Sequence, residues 1–81
     1  MKAELVIYTR KDCCLCDEMK AVIHQVAAHL PLVLEEIDVD GSPETQERYG
    51  AEVPVLLING RKAFKYRVTR GELEKKLTKR L

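Results

Sequence analysis

All three cysteines of this 81-residue chain lie in one tetrapeptide, Cys13-Cys14-Leu15-Cys16. The outer two form a C-x-x-C pair. The pair follows an apolar, β-branched run, Leu5-Val6-Ile7-Tyr8, and opens a segment whose apolar residues recur at helical spacing. A helix N-terminus presents unpaired N–H groups and the positive end of a dipole. That setting stabilises a thiolate, the reactive form of cysteine, so the pattern predicts thiol chemistry at Cys13. Arg10 and Lys11 add positive charge beside it, and Asp12 opposes them. Asp12 is the expected N-cap, which would spend its charge on backbone donors, and the balance predicts a lowered pKa for Cys13.

The elements that must hold this tetrapeptide are legible from periodicity. Residues 3–9 read as a strand, apolar on both faces, which suits a central strand of a sheet covered on both sides. Leu15, Met19, Val22, Ile23, Val26 and Leu30 then mark a helix, and Pro31 ends it. Leu32 to Val39 reads as a second strand, so the first three elements form a βαβ unit. Ser42 is placed to cap a short helix with Pro43 at its first position and Gly50 as its stop. Val55-Leu56-Leu57-Ile58 is a third strand. Asn59-Gly60 predicts a type I′ hairpin turn, with Phe64, Tyr66 and Val68 on the buried face of the returning strand. Thr69-Arg70-Gly71-Glu72 fits a capping box, with Val68 and Leu73 as its hydrophobic staple. Leu73, Leu77 and Leu81 continue as a helical stripe. The order is βαβαββα, in one small domain spanning residues 1–81.

Composition narrows the function classes. The net charge is +1 with both signs interspersed, so nothing marks a nucleic-acid footprint. No apolar stretch approaches the roughly 20 residues that span a bilayer, and the N-terminal run is too short for a signal peptide. A cytoplasmic protein, away from membranes, is expected. Three cysteines within four residues cannot tie distant loops together, so they are not a structural disulfide framework.

The stretches Tyr8-Thr9-Arg10-Lys11-Asp12-Cys13-Cys14-Leu15-Cys16, Glu36-Ile37-Asp38-Val39-Asp40 and Glu52-Val53-Pro54-Val55-Leu56, in this order and at these spacings, resemble the glutaredoxin branch of the thioredoxin-fold proteins. The closest likeness is to the small bacterial glutaredoxin-like proteins, and it runs over nearly the whole chain. It implies an α/β thioredoxin-like fold with a four-stranded mixed sheet flanked by helices. It also implies a cis Pro54 facing the cysteines, which would leave the Val53 backbone to pair with an extended substrate. Arg10 falls where glutaredoxins carry a lysine that contacts glutathione, so Arg10 and Lys11 join Val53 and Pro54 as expected substrate contacts. Two departures stand out. Glutaredoxins carry Cys-Pro-Tyr-Cys, where this chain has Cys14 and Leu15 between the outer cysteines. Their Gly-Gly turn with an acidic residue before the last helix is here Tyr66-Arg67-Val68-Thr69-Arg70-Gly71-Glu72. Both weigh against glutathione as the natural reductant; a thioredoxin-type reductase is the other candidate.

The expected reaction is thiol–disulfide exchange on a protein or small-molecule disulfide. Cys13 attacks, a mixed disulfide forms, and Cys16, one helical turn on, resolves it; an external thiol then reduces the Cys13–Cys16 bond. No tightly bound cofactor is expected, and a monomer is the default. Cys14 is left open between a competing disulfide, glutathionylation and a bystander, with the bystander preferred. The main alternative is a metal or Fe–S module. Three clustered thiolates suit a soft metal, but one chain lacks an evident fourth ligand. An adaptor that uses the Pro54 groove without turnover is a third option, and the intact cysteine pair argues against it. His24 and His29 read as solvated helix residues, Glu35, Glu36, Asp38 and Asp40 as strand-edge and turn charge, and the basic tail as the wet face of the last helix.

Overall fold

A computed structural model describes residues 2–80 of the chain. Strand β1 (Ala3–Thr9) leads into helix α1 (Cys14–Ala27), followed by β2 (Leu32–Asp38). A single 3-10 turn, Val39–Gly41, connects to α2 (Pro43–Tyr49), and the chain finishes with β3 (Val55–Ile58), β4 (Arg61–Lys65) and α3 (Arg70–Arg80). The sheet order is β2-β1-β3-β4, with β1 parallel to β2 and antiparallel to β3. This is the expected βαβαββα arrangement, with β1 central. Residue 81, the last of the expected leucine stripe, lies outside the described residues.

The core lies between one face of the sheet and the helices α1 and α3. Alternation along β1 sends Ala3, Leu5 and Ile7 to that side, where Met19, Ile23 and Val26 of α1 and Leu73 and Leu77 of α3 meet them. Each large side chain fully buried there stabilises the fold by about 1.5–3 kcal/mol. Cys16 belongs to the same stripe of α1 and is also fully buried. The second face of the sheet is only partly covered, contrary to the expectation of helices on both sides. Tyr8 stacks on Tyr49 of α2 with ring centroids 4.2 Å apart, but Glu4 is exposed and Val33 is 47% exposed. Helix α2 is too short to cover the whole face.

Local signals hold at the element ends. Ser42 caps α2 through Oγ, which accepts the Thr45 N–H at 3.3 Å. Asn59 and Gly60 take the left-handed backbone that a type I′ turn needs, with φ of 51° and 84°. The capping box of α3 closes in both directions: Thr69 N–H donates to Glu72 Oε1 and Glu72 N–H donates to Thr69 Oγ1, each at 3.1 Å. Val68 and Leu73, the staple pair, are both buried.

Three sequence expectations at the element ends are corrected. Strand β2 stops at Asp38, because its carboxylate accepts the Asp40 N–H at 2.9 Å and starts the 3-10 turn. Strand β4 ends at Lys65. Tyr66 leaves the sheet with φ +67° and 43% exposure, so it does not face the core. The third correction concerns the cap of α1. Gly50 stops α2 as expected, in right-handed geometry, φ −56°. A Cβ built there would collide with the Gln46 carbonyl and lie 3.1 Å from Arg10 Nη2.

Candidate active site

The C-terminal end of β1 delivers the chain to the cysteines through a four-residue loop, Arg10 to Cys13. Asp12 turns the corner with φ +57°, a left-handed conformation that Asp tolerates better than most residues. It is therefore not the N-cap. Cys13 is: its backbone is extended, φ −109° and ψ 106°, and its Sγ accepts the Cys16 N–H at 3.1 Å. The first backbone bond of the helix runs from Asp17 N–H to the Cys13 carbonyl at 3.2 Å. The sulfur of Cys13 thus sits at the N-terminal end of α1, against one of the donors that the helix leaves unpaired.

Cys13 and Cys16 are joined by a disulfide, with Cα atoms 5.2 Å apart, inside the usual range for such bonds. The two sulfurs differ in access. Cys13 is half-buried and Cys16 is fully buried. An incoming group reaches Cys13 first. Cys14 is a free, exposed thiol one position into the helix. Among the described residues no group of three His, Cys, Asp or Glu side chains is arranged to hold a metal ion.

Val53 and Pro54 stand at the same end of the sheet. The antiparallel register pairs Tyr8 with Val55, so the residues that precede β3 lie beside those that follow β1. The Val53–Pro54 peptide bond is cis. Pro54 is buried, and its carbonyl accepts the Tyr66 N–H at 2.9 Å. That bond ties the β4–α3 connection to the loop before β3. Among the described residues the Val53 N–H and carbonyl have no backbone partner.

Arg10 and Lys11 differ in what they do. The Arg10 guanidinium grips Asp40 with two hydrogen bonds, Nε to Oδ2 at 3.1 Å and Nη2 to Oδ1 at 3.2 Å. Gln46 donates to the same carboxylate at 3.1 Å, and the Arg10 guanidinium lies beside Gly50, just after α2. These bonds, chiefly those of Arg10, hold the Asp40 carboxyl below its ordinary pKa. Arg10 is therefore a brace between the cysteine loop and the 3-10 turn. Lys11 is exposed and lines a polar cleft of about 380 Å³ with Thr9, Asp12, Asp17, Lys20 and Glu36 among its walls. Inside that cleft Glu36 Oε2 accepts from Lys20 Nζ at 3.1 Å and from the buried Thr9 hydroxyl at 3.2 Å. The Lys20 ammonium keeps the Glu36 carboxyl below its usual range, and Glu36 in turn raises the Lys20 pKa.

Sequence reasoning missed Thr9, Lys20, Glu36 and Asp40 as parts of this end of the molecule, and no local pattern points to them. The acidic run is instead explained piece by piece: Glu36 pairs with Lys20, Asp38 caps the 3-10 turn and Asp40 holds Arg10. His24 and His29 are exposed on α1 and just beyond it, as expected. Tyr8 stacks on Tyr49; burial is the main cause that raises its pKa, followed by the Tyr49 hydroxyl.

Comparison with known proteins agrees with this geometry. Residues 4–78 match the model of the glutaredoxin-like domain family (DUF836). Among solved structures, the structural-genomics target protein XcR50 from X. campestris superposes with a TM-score of 0.79 and 28% identity, covering 93% of this chain and 96% of its own. The germline-specific thioredoxin Deadhead from the fruit fly Drosophila melanogaster gives a TM-score of 0.65 at 24% identity, with 99% of this chain and 82% of that one covered. Thioredoxin-2 of the malaria parasite gives 0.71 at 15% identity over 96% of this chain and 82% of its own. The last two likenesses are likenesses of fold, and the fold is thioredoxin-like.

Proposed function

Because the chain belongs to the glutaredoxin-like domain family, we propose that it is a thiol–disulfide oxidoreductase that uses Cys13 as nucleophile and Cys16 as resolving thiol. One observation carries this reading. The two cysteines are within bonding distance, the outer one is accessible and on a helix N-terminus, and the inner one is sealed in the core.

In the reduced protein the Cys13 thiolate attacks one sulfur of a substrate disulfide, R–S–S–R′. A Cys13–S–S–R bond forms, and R′–S⁻ leaves and takes a proton from water. Cys16 then loses its proton and attacks the Cys13 sulfur. R–S⁻ leaves and is protonated in turn, and the Cys13–Cys16 disulfide remains. Two electrons and two protons have passed to the substrate, and two equivalents of an external thiol, or one dithiol, restore the enzyme. Charge at the Cys13 sulfur is favoured by the Cys16 N–H and by the α1 dipole. Arg10, engaged by Asp40, steadies the loop, and Lys11 offers a positive contact on the cleft wall. The unpaired backbone of Val53 is suited to pair with an extended segment next to the substrate disulfide, as an added strand would. Glutathione and a thioredoxin-type reductase are the two candidate electron donors. A cytoplasmic setting suits this reading, since a C-x-x-C there serves turnover more readily than structure. The protein is taken to act as a monomer without a resident cofactor.

The test is a pair of substitutions. Cys13→Ser abolishes reduction of a model disulfide such as bis(2-hydroxyethyl) disulfide. Cys16→Ser accumulates a mixed disulfide at Cys13, visible as an added mass. Full turnover by Cys13→Ser removes the reading.

A further inference from the structure

Lys62 and Lys65 stand three residues apart in β4. On a regular strand, where side chains alternate, they would point to opposite faces of the sheet. Here both reach the same carboxylate: Lys62 Nζ donates to Glu52 Oε1 at 2.7 Å and Lys65 Nζ donates to Glu52 Oε2 at 3.0 Å. A β-bulge makes this possible. Phe64 lies opposite Leu56 and Lys62 opposite Leu57, so Ala63 is an extra residue without a partner in β3. The extra residue shifts the alternation by one and turns Lys62 to the side of Lys65. Glu52 immediately precedes Val53 and the cis peptide bond to Pro54. We propose that the bulge and its two lysines form an ionic clamp on Glu52 that holds the Val53–Pro54 loop in the shape with which a substrate strand pairs. Glu52, Lys62 and Lys65 are then positioning residues of the reaction proposed above, on which this inference rests.

The loop has reason to need such a clamp. The Val53 N–H and carbonyl have no backbone partner among the described residues, so no ladder bond fixes that peptide. Its neighbours are anchored instead. The Glu52 N–H donates to the Tyr49 carbonyl at 2.9 Å, and the Pro54 carbonyl accepts the Tyr66 N–H at 2.9 Å. The Glu52 side chain adds the third anchor, and because each of its oxygens meets a different lysine its orientation is fixed as well as its position. Lys65 joins two of the anchors, since its Nζ also lies 5.5 Å from the centroid of the Tyr66 ring. An edge held ready to pair spares the bound state the entropy of ordering it.

The clamp acts locally. Lys62 and Lys65 are about half exposed, and exposed ion pairs add little to the stability of a whole fold. A bulge that gathers two such cations on one carboxylate is better explained by the loop it steadies, since bulges recur where a side chain must be re-aimed beside a reacting site.

The assay compares a disulfide-linked peptide, which has a backbone to pair with Val53, with bis(2-hydroxyethyl) disulfide, which has none. Glu52→Gln keeps the shape of the side chain and removes its charge. Its KM for the peptide should rise about tenfold, as expected when the pairing-competent loop falls to about a tenth of the population. Its kcat for the peptide and its kcat/KM for the small disulfide should stay within about twofold of wild type, the signature of lost binding rather than lost chemistry. The double variant Lys62→Met with Lys65→Met should raise the peptide KM by the same factor, and adding Glu52→Gln to it should change nothing more, because all three residues serve one interaction. Amide relaxation supplies a readout apart from turnover: the order parameter of Val53 should fall from about 0.85 to about 0.6 or less in Glu52→Gln. An unchanged peptide KM, an equal loss on both substrates, or a Val53 amide as ordered in the variant as in wild type overturns the clamp while the redox reading stands. Failure of the wild-type protein to reduce the small disulfide would remove the redox reading itself.

Discussion

The reactivity of Cys13 can be worked out from its place at the end of α1. Consider the double variant Cys14→Ser with Cys16→Ser, in which Cys13 is the sole thiol and the backbone N–H of position 16 is retained. That N–H lies 3.1 Å from the Cys13 sulfur. A hydrogen bond to a charged group contributes about 1.5–3 kcal/mol, and the helix dipole adds about 0.3–1 kcal/mol. Partial burial of Cys13 and the charge of Asp12 oppose these terms. A net preference of about 2 kcal/mol for the ionised sulfur means roughly thirtyfold more thiolate than a free thiol has at pH 6. Nucleophilicity falls as a thiolate is stabilised, with a Brønsted coefficient of about 0.4–0.5, which returns a factor of about five. Cys13 should therefore react about sixfold faster than N-acetylcysteine with 4,4′-dithiodipyridine at about pH 6. Well above about pH 9 both thiols are ionised, and Cys13 should be about fivefold slower. The two rate–pH curves must cross, and stopped-flow absorbance follows both. Curves that never cross, or a Cys13 no faster than the free thiol at pH 6, would refute the helix-end argument. Arg10→Met should leave the crossing nearly in place, since Asp40 already balances the Arg10 charge.

Further outcomes test the supports of the site. Thr69→Ala removes the N-cap of α3 and should cost about 0.5–2 kcal/mol, a fall of about 4–8 °C in Tm for each kcal/mol lost; an unchanged Tm would show that the cap contributes nothing. Gly50→Ala would gain about 1 kcal/mol if helix propensity ruled. The clash with the Gln46 carbonyl and Arg10 should reverse that sign, and urea unfolding should find the variant less stable, with a less than additive effect when combined with Asp40→Ala. The Glu36 carboxyl is held down chiefly by Lys20, so the stability it brings is present above its ordinary value of 4.5 and is lost as pH falls through the lower folded value. Since Glu36 is about half exposed, a Lys20/Glu36 double-mutant cycle at pH 7 should give a coupling below about 1 kcal/mol, and the coupling should fade as pH drops through the lowered folded value and the carboxyl takes up its proton. Coupling that survives acid would assign the effect to packing.

What the amino-acid sequence determined by itself was whatever depends on neighbours a few residues apart. The order βαβαββα follows from apolar periods of two for strands and about 3.6 for helices, and the Ser42 cap, the Asn59-Gly60 turn, the Thr69–Glu72 box and the ability of Cys13 and Cys16 to meet rest on local contacts. Their chemistry is therefore written in adjacent letters. The choice between Asp12 and Cys13 as the cap is not written there. Both can accept a helical N–H, and only the exit path of the chain from β1 makes Asp12 the corner and Cys13 the cap. The exposure of Tyr66 is hidden for a similar reason: alternation continues only while the strand does, and the left-handed backbone at Tyr66 ends it. Tertiary structure alone decided that Arg10 would meet Asp40, 30 residues away, and that Glu36 would join Thr9 and Lys20 across 27 and 16 residues. Those contacts follow from the order of strands in the sheet, which sets β2 against β1 and brings the ends of both beside the cysteines. No local periodicity encodes that neighbourhood, because it exists only once the sheet has closed.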